Sequence, residues 1–306
     1  SVISPAASRS GIGNDSGRNA HAFRSKDGGT SDAVYSLAPR LNVLGVGISA
    51  VDIPACLDAI AAALREGTKG YVCVTGVHGV MESQKDARLR AVHNRSFLTV
   101  PDGMPLVWIG RRAGFPGMDR VYGPDLMMAV CRESVGRGWT HFLFGGKEGV
   151  AEDLKRRLEE RLPGIRIVGT WCPPFRPLDE KEQRKLAGDV RDAKPDIMWI
   201  GLSTPKQELF MAEYLSKLET KLMFGVGAAF DVHTGRMADS PSWVKKAGLQ
   251  WFHRLCQEPG RLSRRYLYIV PAFMLLSTLQ RLGIRRYSTN NEQRTSNNEH
   301  RSGEAR

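Results

Sequence analysis

No Cys-x-x-Cys pair occurs in this 306-residue chain, and its five cysteines are scattered and odd in number. That pattern fits a reduced, cytosolic protein better than a disulfide framework or a zinc site. There is no G-x-x-x-x-G-K-[ST] run, which excludes a P-loop, and no H-E-x-x-H. The Asp-x-Asp pair that would hold a metal against a nucleotide diphosphate is missing too, so neither metal nor cofactor is expected. A dinucleotide fingerprint needs G-x-G-x-x-G after the first strand, and "GVGISAVD" there lacks the third glycine. The chain does not open on a basic stretch followed by an apolar one, so no secretory signal is expected. The apolar part of the C-terminal segment, Tyr266 to Leu279, has 14 residues and contains Pro271, too short to span a bilayer.

What is present is globular: 42% hydrophobic and 25% charged residues. The net charge of +12 is unevenly placed. Residues 245–286 hold nine Lys or Arg against Glu258 alone, so most of the surplus lies in one C-terminal segment. Residues 1–37 and 287–306 are polar and without apolar periodicity, and read as disordered arms. A folded domain is expected over 38–244 and a basic amphipathic appendage over 245–286.

Short apolar runs alternate with amphipathic helical stretches between the arms. The runs are "LNVLGVGI" (41–48), "YVCVTG" (71–76), "FLTV" (97–100), "HFLFGG" (141–146), "IRIVGTW" (165–171), "DIMWIGL" (196–202) and "KLMFGVGAAFD" (221–231). "VAEDLKRRLEERL" and "KQELFMAEYLSKL" carry apolar residues at i, i+3, i+4 and i+7, as a helix with one buried face does. Continuous rather than alternating hydrophobicity predicts strands buried on both faces. The fold class is α/β, a mostly parallel sheet flanked by helices.

Ligands of such sheets bind beyond the carboxyl ends of the strands. Thr75-Gly76, Asp102-Gly103, Gly145-Gly146, "GLSTPKQE" (201–208) and "GVGAAFD" (225–231) all fall there. Glycine turns let backbone approach a ligand, and helix N-termini favour phosphate, so a phosphate-bearing ligand is expected. Without a cation, a departing diphosphate needs fixed positive charge and backbone amides, which Arg120 and these turns can supply. Asp-Gly between apolar runs is a hairpin signal. However, Pro105 suits the first turn of a helix and not a ladder. Asp102 is therefore read at the end of a buried strand, either facing the ligand or capping the helix that follows.

The segment 249–286 has arginines at both ends of its apolar stretch and aromatic residues nearby, which suits a helix lying at headgroup depth on an anionic surface. A helical hairpin packed on the core or a subunit interface is the alternative. Arg254, Arg261 and Arg264 have spacings that a helix could gather on one face, with Pro259-Gly260 interrupting it. Three guanidiniums there would suit a lipid-linked pyrophosphate. Nucleic acid is not expected as a partner, because the basic segment is apolar and short of interleaved stacking aromatics.

"VYGPDLM", "FLFGGKEGVAEDL", "GLSTPKQELF", "GVGAAFDVHTGRM", "LQWFHRLCQEPGRLSRRYL" and "TG…PDGMPLVW" resemble, in order and spacing, the WecG/TagA/CpsF glycosyltransferases, from about Leu41 to Leu267. The resemblance implies a Rossmann-like domain whose C-terminal appendage closes the site and touches the cytoplasmic face of the inner membrane. It implies metal-free, inverting transfer from a UDP-sugar to a polyprenyl-diphosphate-linked saccharide in cell-surface polysaccharide synthesis. Carried onto this chain, Asp102 takes the catalytic position and Thr75 that of the active-site threonine. Arg120, Gln207 and Asp231, with Gly145, Gly146 and Gly201, fall on the donor side, and Arg254, Arg261 and Arg264 on the acceptor pyrophosphate. The family's asparagine two residues after the threonine is here Val77, which makes a neutral hexose donor more credible than an amino sugar. An oxidoreductase or epimerase and a non-enzymatic membrane-surface protein are the rival readings.

Overall fold

The structure is a computed structural model and describes residues 38–241, 244, 250–257 and 259–289. The arm expected over 1–37 lies outside the described residues, as does the tail expected over 287–306 except for residues 287–289, of which Tyr287 packs on the body of the protein.

Two strands open the described chain, β1 (Arg40–Val43) and β2 (Val46–Ser49). They pair antiparallel and form a separate two-stranded sheet. This corrects the expectation that 41–48 is one strand of the parallel sheet. Leu44 and Gly45 have φ of 52° and 82°. Left-handed backbone at both central residues is what a two-residue hairpin of this twist requires. The run hides its turn because Val43, Leu44, Val46 and Ile48 are all buried, so no polar residue marks the reversal.

The main sheet has six strands: β3 (Gly70–Thr75), β4 (Leu98–Pro101), β5 (Thr140–Gly145), β6 (Arg166–Trp171), β7 (Ile197–Gly201) and β8 (Leu222–Gly225). Their order is β4-β3-β8-β7-β5-β6, every pair parallel. Chain direction reverses between β5, which leads outward to β6, and β7, which leads inward to β8. That is the topological switch point, where such sheets open a crevice.

Helices cover both faces, as continuous apolar strands demand. α1 (Ile53–Glu66), α5 (Gly123–Arg137) and α6 (Val150–Arg161) pack on one side, around a core containing Trp199, Phe224 and Phe230. α3 (Ala87–Arg95), α7 (Glu180–Ala193) and α8 (Lys206–Tyr214) lie on the other, around Phe142, Phe144 and Met211. Local signals set their ends. Asp52 accepts from the Ala55 amide at 2.9 Å to start α1, and left-handed Gly67 ends it. Asp179 and Glu182 form a reciprocal capping box on α7. α2 (Val77–Lys85) and α4 (Met104–Arg112) follow β3 and β4 directly, and α9 (Ala229–His233) follows β8.

The basic segment contains α10 (Gln250–Gln257) and α11 (Pro259–Arg281). Ile269 and Phe273 of α11 are buried in a third apolar cluster with the hairpin, α2 and Leu106 of α4. Polar groups fasten the same contact. Gln280 accepts from the Leu44 amide at 2.9 Å and donates to the Asn42 carbonyl at 3.0 Å, while Asn42 Nδ2 donates to the Tyr287 carbonyl at 2.7 Å. The opposite face of α11 is apolar and open: Leu267 is 83% exposed, Met274 57% and Leu275 61%. Among the described residues no helix is long and apolar enough to cross a membrane.

The candidate active site

Thr75 ends β3 and Asp102 follows directly on the adjacent β4, and the Asp102 amide donates to the Thr75 carbonyl at 2.9 Å. Between them Gly76 has no room for a side chain: a Cβ would stand 2.6 Å from the Asp102 carbonyl oxygen. Gly103, with φ of 124°, turns the chain into α4, which carries Pro105 in its first turn. The expectation of strand, turn and helix rather than hairpin at "PDGMP" is what the fold contains. The N-cap position of α4 is Gly103, one residue past Asp102, and glycine offers no side chain to cap the helix.

Arg120 reaches Asp102 from the loop before α5. Its Nε lies 3.9 Å from Asp102 Oδ1, with the arginine side chain 9% exposed and the aspartate 30%. The guanidinium carbon sits 4.6 Å from the centre of the Tyr122 ring. Arg120 Nη2 is buried without a hydrogen-bond partner. A buried cation with an unsatisfied donor is costly unless an anion meets it. Thr75 Oγ1 is likewise buried without a partner. Backbone holds this loop: the Asp119 amide donates to the Val51 carbonyl at 3.2 Å and the Val121 amide to the Pro101 carbonyl at 2.8 Å.

The glycines at the switch point are also a packing requirement. A Cβ on Gly145 would meet Gly201 backbone at 2.6 Å, and one on Gly201 would meet the Phe230 ring at 2.8 Å. The Gly146 amide donates to the Gly201 carbonyl at 3.1 Å. Gly145 and Gly201 thus let β5, β7 and α9 close upon one another beyond the strand ends. Gln207 is buried, its Oε1 accepting from the Gly227 amide at 2.9 Å and its Nε2 donating to Glu208 at 3.1 Å. Asp231 is half-buried on α9, one turn past the β8 edge.

The structure therefore brings Thr75, Asp102 and Arg120 together beyond β3 and β4, and gathers the glycines and Gln207 beyond β5, β7 and β8. Arg254 lies on α10 and Arg261 and Arg264 on α11, separate helices, and the side chains of all three fall outside the described residues. Val77, at the first position of α2, packs against the cluster that holds the hairpin and α11. Sequence reasoning missed Tyr122 and Glu208, although "VYGPDL" and "PKQE" both contain them. What was lacking was a reason for an aromatic under the guanidinium or a carboxyl beneath the amide.

Two buried histidines sit below the site. His93 and His141 are both driven down to about 4 by burial. Trp199 Nε1 donates to His141 Nδ1 at 3.0 Å, which puts the ring proton on Nε2. Among the described residues no group of three or more His, Cys, Asp or Glu could hold a metal ion. A cleft of about 560 Å³ has Asp125, Arg132, Arg161 and His233 in its lining. It includes none of Thr75, Asp102 or Arg120.

Residues 41–287 match the family described as "Glycosyl transferase WecG/TagA/CpsF family". The chain is 27% identical over 197 residues to an N-acetylglucosaminyldiphosphoundecaprenol N-acetyl-beta-D-mannosaminyltransferase of Bacillus spizizenii, covering 64% of this chain and 75% of the relative. It is 26% identical over 191 residues to the protein of that name in Bacillus subtilis, covering 62% and 72%. With a match this long falling on a parallel sheet whose strand ends hold Thr75, Asp102 and Arg120, the chain belongs to the WecG/TagA/CpsF family of glycosyl transferases.

Proposed function

We propose that this chain transfers a hexose from a UDP-sugar, with inversion, to a polyprenyl-diphosphate-linked saccharide at a membrane surface. The observation that carries the reading is the Asp102–Arg120 pair: a partly exposed carboxylate beside a buried guanidinium with an unused donor. Asp102 takes the proton of the acceptor hydroxyl as that oxygen attacks C1 of the donor sugar. The C1–O bond to the diphosphate breaks, and UDP leaves with the electron pair. Arg120 meets the charge that builds on the departing phosphate, helped by backbone amides at the glycine turns. Held in a poorly hydrated place, a fixed cation acts on developing charge more strongly than it would in water. Thr75 Oγ1 is the group that orients the donor sugar.

The relatives' names specify an N-acetylmannosaminyl group and an undecaprenyl-linked acceptor. The acceptor class is carried over, and the donor is not. Val77 faces an apolar cluster and offers no hydrogen bond where the family places an asparagine. Losing a site hydrogen bond to a substrate group weakens selection for that group strongly, so the donor proposed is a neutral hexose. The exposed apolar face of α11, within a segment of nine basic residues and one acidic, supports docking on an anionic leaflet. Arg254, Arg261 and Arg264 are proposed to hold the acceptor's pyrophosphate there.

The test is transfer from UDP-glucose, UDP-ManNAc and UDP-glucuronate to a polyprenyl-diphosphate saccharide, with wild type and Asp102→Asn. Wild type is expected to use UDP-glucose. The variant should lose roughly 10²–10⁴-fold in turnover, the worth of a positioned general base. Near wild-type turnover by Asp102→Asn would sink the assignment of the base, and preference for UDP-ManNAc would sink that of the sugar.

A further inference from the structure

Gln207 is buried and its side-chain amide joins two turns. Its side chain runs beneath Gly225, where an added Cβ would crowd the Gln207 Cδ at 3.1 Å, and ends on the Gly227 amide. An amide can present either its oxygen or its nitrogen, and the choice is made by what lies on its far side. Here that is Glu208. Glu208 Oε1 accepts from Gln207 Nε2 at 3.1 Å and from Thr204 Oγ1 at 2.9 Å, while Oε2 is buried with no partner. An oxygen that only accepts forces the nitrogen of Gln207 toward itself, and so the oxygen of Gln207 toward Gly227. Gly227 in turn has φ of 55°, a left-handed position that fixes the direction of the turn after β8. Glu208 is completely buried, and that burial pushes its carboxyl above the usual range. A buried acid with half of its oxygens unused is expensive, which marks it as kept for something other than stability.

We infer that Glu208 is a positioning residue for the donor site: through the Gln207 amide it fixes the 226–228 turn against the turn after β7, shaping the ledge on which the donor diphosphate rests. The inference deepens the function proposed above and depends on its placement of the donor at these strand ends. Glu208 touches no substrate; it acts by deciding which end of the Gln207 amide faces Gly227. A purely structural carboxyl would not care about the order of donor and acceptor along this chain, whereas a positioning one must.

The experiment uses Glu208→Met, Glu208→Gln, Gln207→Glu and the double variant Gln207→Glu/Glu208→Gln. The readouts are UDP affinity by calorimetry and hydrogen exchange of the Gly227 amide. Glu208→Gln keeps an accepting oxygen and should bind UDP as wild type does. Glu208→Met removes the acceptor; Gly227 should lose protection and the UDP Kd should rise roughly tenfold, the loss of one oriented hydrogen bond. Gln207→Glu sets two acceptors face to face and should weaken UDP binding further as pH rises. The double variant restores donor to acceptor and should recover both readouts. Should Glu208→Met fail to fold, Gln207→Glu and its rescue by Glu208→Gln decide the matter. A protected Gly227 and unchanged UDP affinity in Glu208→Met, or no rescue in the double variant, would overturn the inference. Wild type that binds no UDP would instead overturn the donor reading on which it rests.

Discussion

A single methyl group at Gly76 should disable the enzyme while leaving it folded. The backbone there has φ of −101° and ψ of −172°, ordinary for alanine, so Gly76→Ala adds no conformational strain of its own. The new Cβ would sit 2.6 Å from the Asp102 carbonyl oxygen, 0.8 Å inside the 3.4 Å at which ordinary contact begins. The carbonyl is backbone and cannot swing aside, so the end of β4 must move by most of that gap, carrying the Asp102 side chain with it. A displacement near 1 Å of a reacting group costs about 10²-fold in rate. Forcing an extra carbon into close packing costs roughly 1–3 kcal/mol in stability. The assay pairs initial rates of sugar transfer with thermal melts and UDP calorimetry. Turnover should fall roughly 30- to 100-fold with a cooperative melt retained and UDP affinity little changed. Gly188→Ala on α7, where a Cβ meets nothing within 4 Å, is the control and should leave turnover intact. If Gly76→Ala turns over at the control's rate, either Asp102 is not the base or its placement does not limit the reaction.

The two buried histidines predict an acid limb of stability. Each is held near 4 in the folded protein against an ordinary 6.5, so between those values the unfolded chain binds more protons and folding weakens as pH falls. Full loss is about 3 kcal/mol for each histidine, read as a falling urea midpoint between pH 6.5 and 4; a flat midpoint would refute it. Leu267→Glu with Met274→Glu places charges on the open face of α11 and should abolish flotation with anionic liposomes without shifting the melt, because neither side chain is buried. Retained flotation would mean that the membrane is met elsewhere. With intact transfer to a short, water-soluble acceptor in this variant, membrane binding separates from chemistry.

The parallel sheet was readable because its strands lie in mostly apolar runs, even at the half-exposed edge strand β6, and six of the seven runs became its six strands. The seventh, 41–48, failed for the same reason that the others succeeded: apolar residues mark burial, not direction. Leu44 in a left-handed turn leaves no trace in a pattern of hydrophobicity. At the site, Pro105 was enough to tell a helix start from a hairpin, so Asp102 landed where it was read. Distances between strand ends are a matter of sheet order, which the pattern does not encode. Nothing along the chain announced that Arg120 would reach Asp102, that Tyr122 would lie beneath it, or that Gln207 would be turned inward by its neighbour.

The hairpin and α11 meet across nearly the whole chain: Leu44 to Gln280 spans 236 positions and Asn42 to Tyr287 spans 245. At ribosomal speeds of about 5–20 residues per second, the hairpin is made roughly 12–50 s before its covering helix. Throughout that interval the surface destined for Ile269 and Phe273 is bare, and the nascent chain is a client for chaperones or a seed for aggregation. The helix with the open apolar face is therefore also the last piece of this described core to arrive. A chain cut before α11 should leave the apolar surface of the hairpin, α2 and Leu106 without its cover.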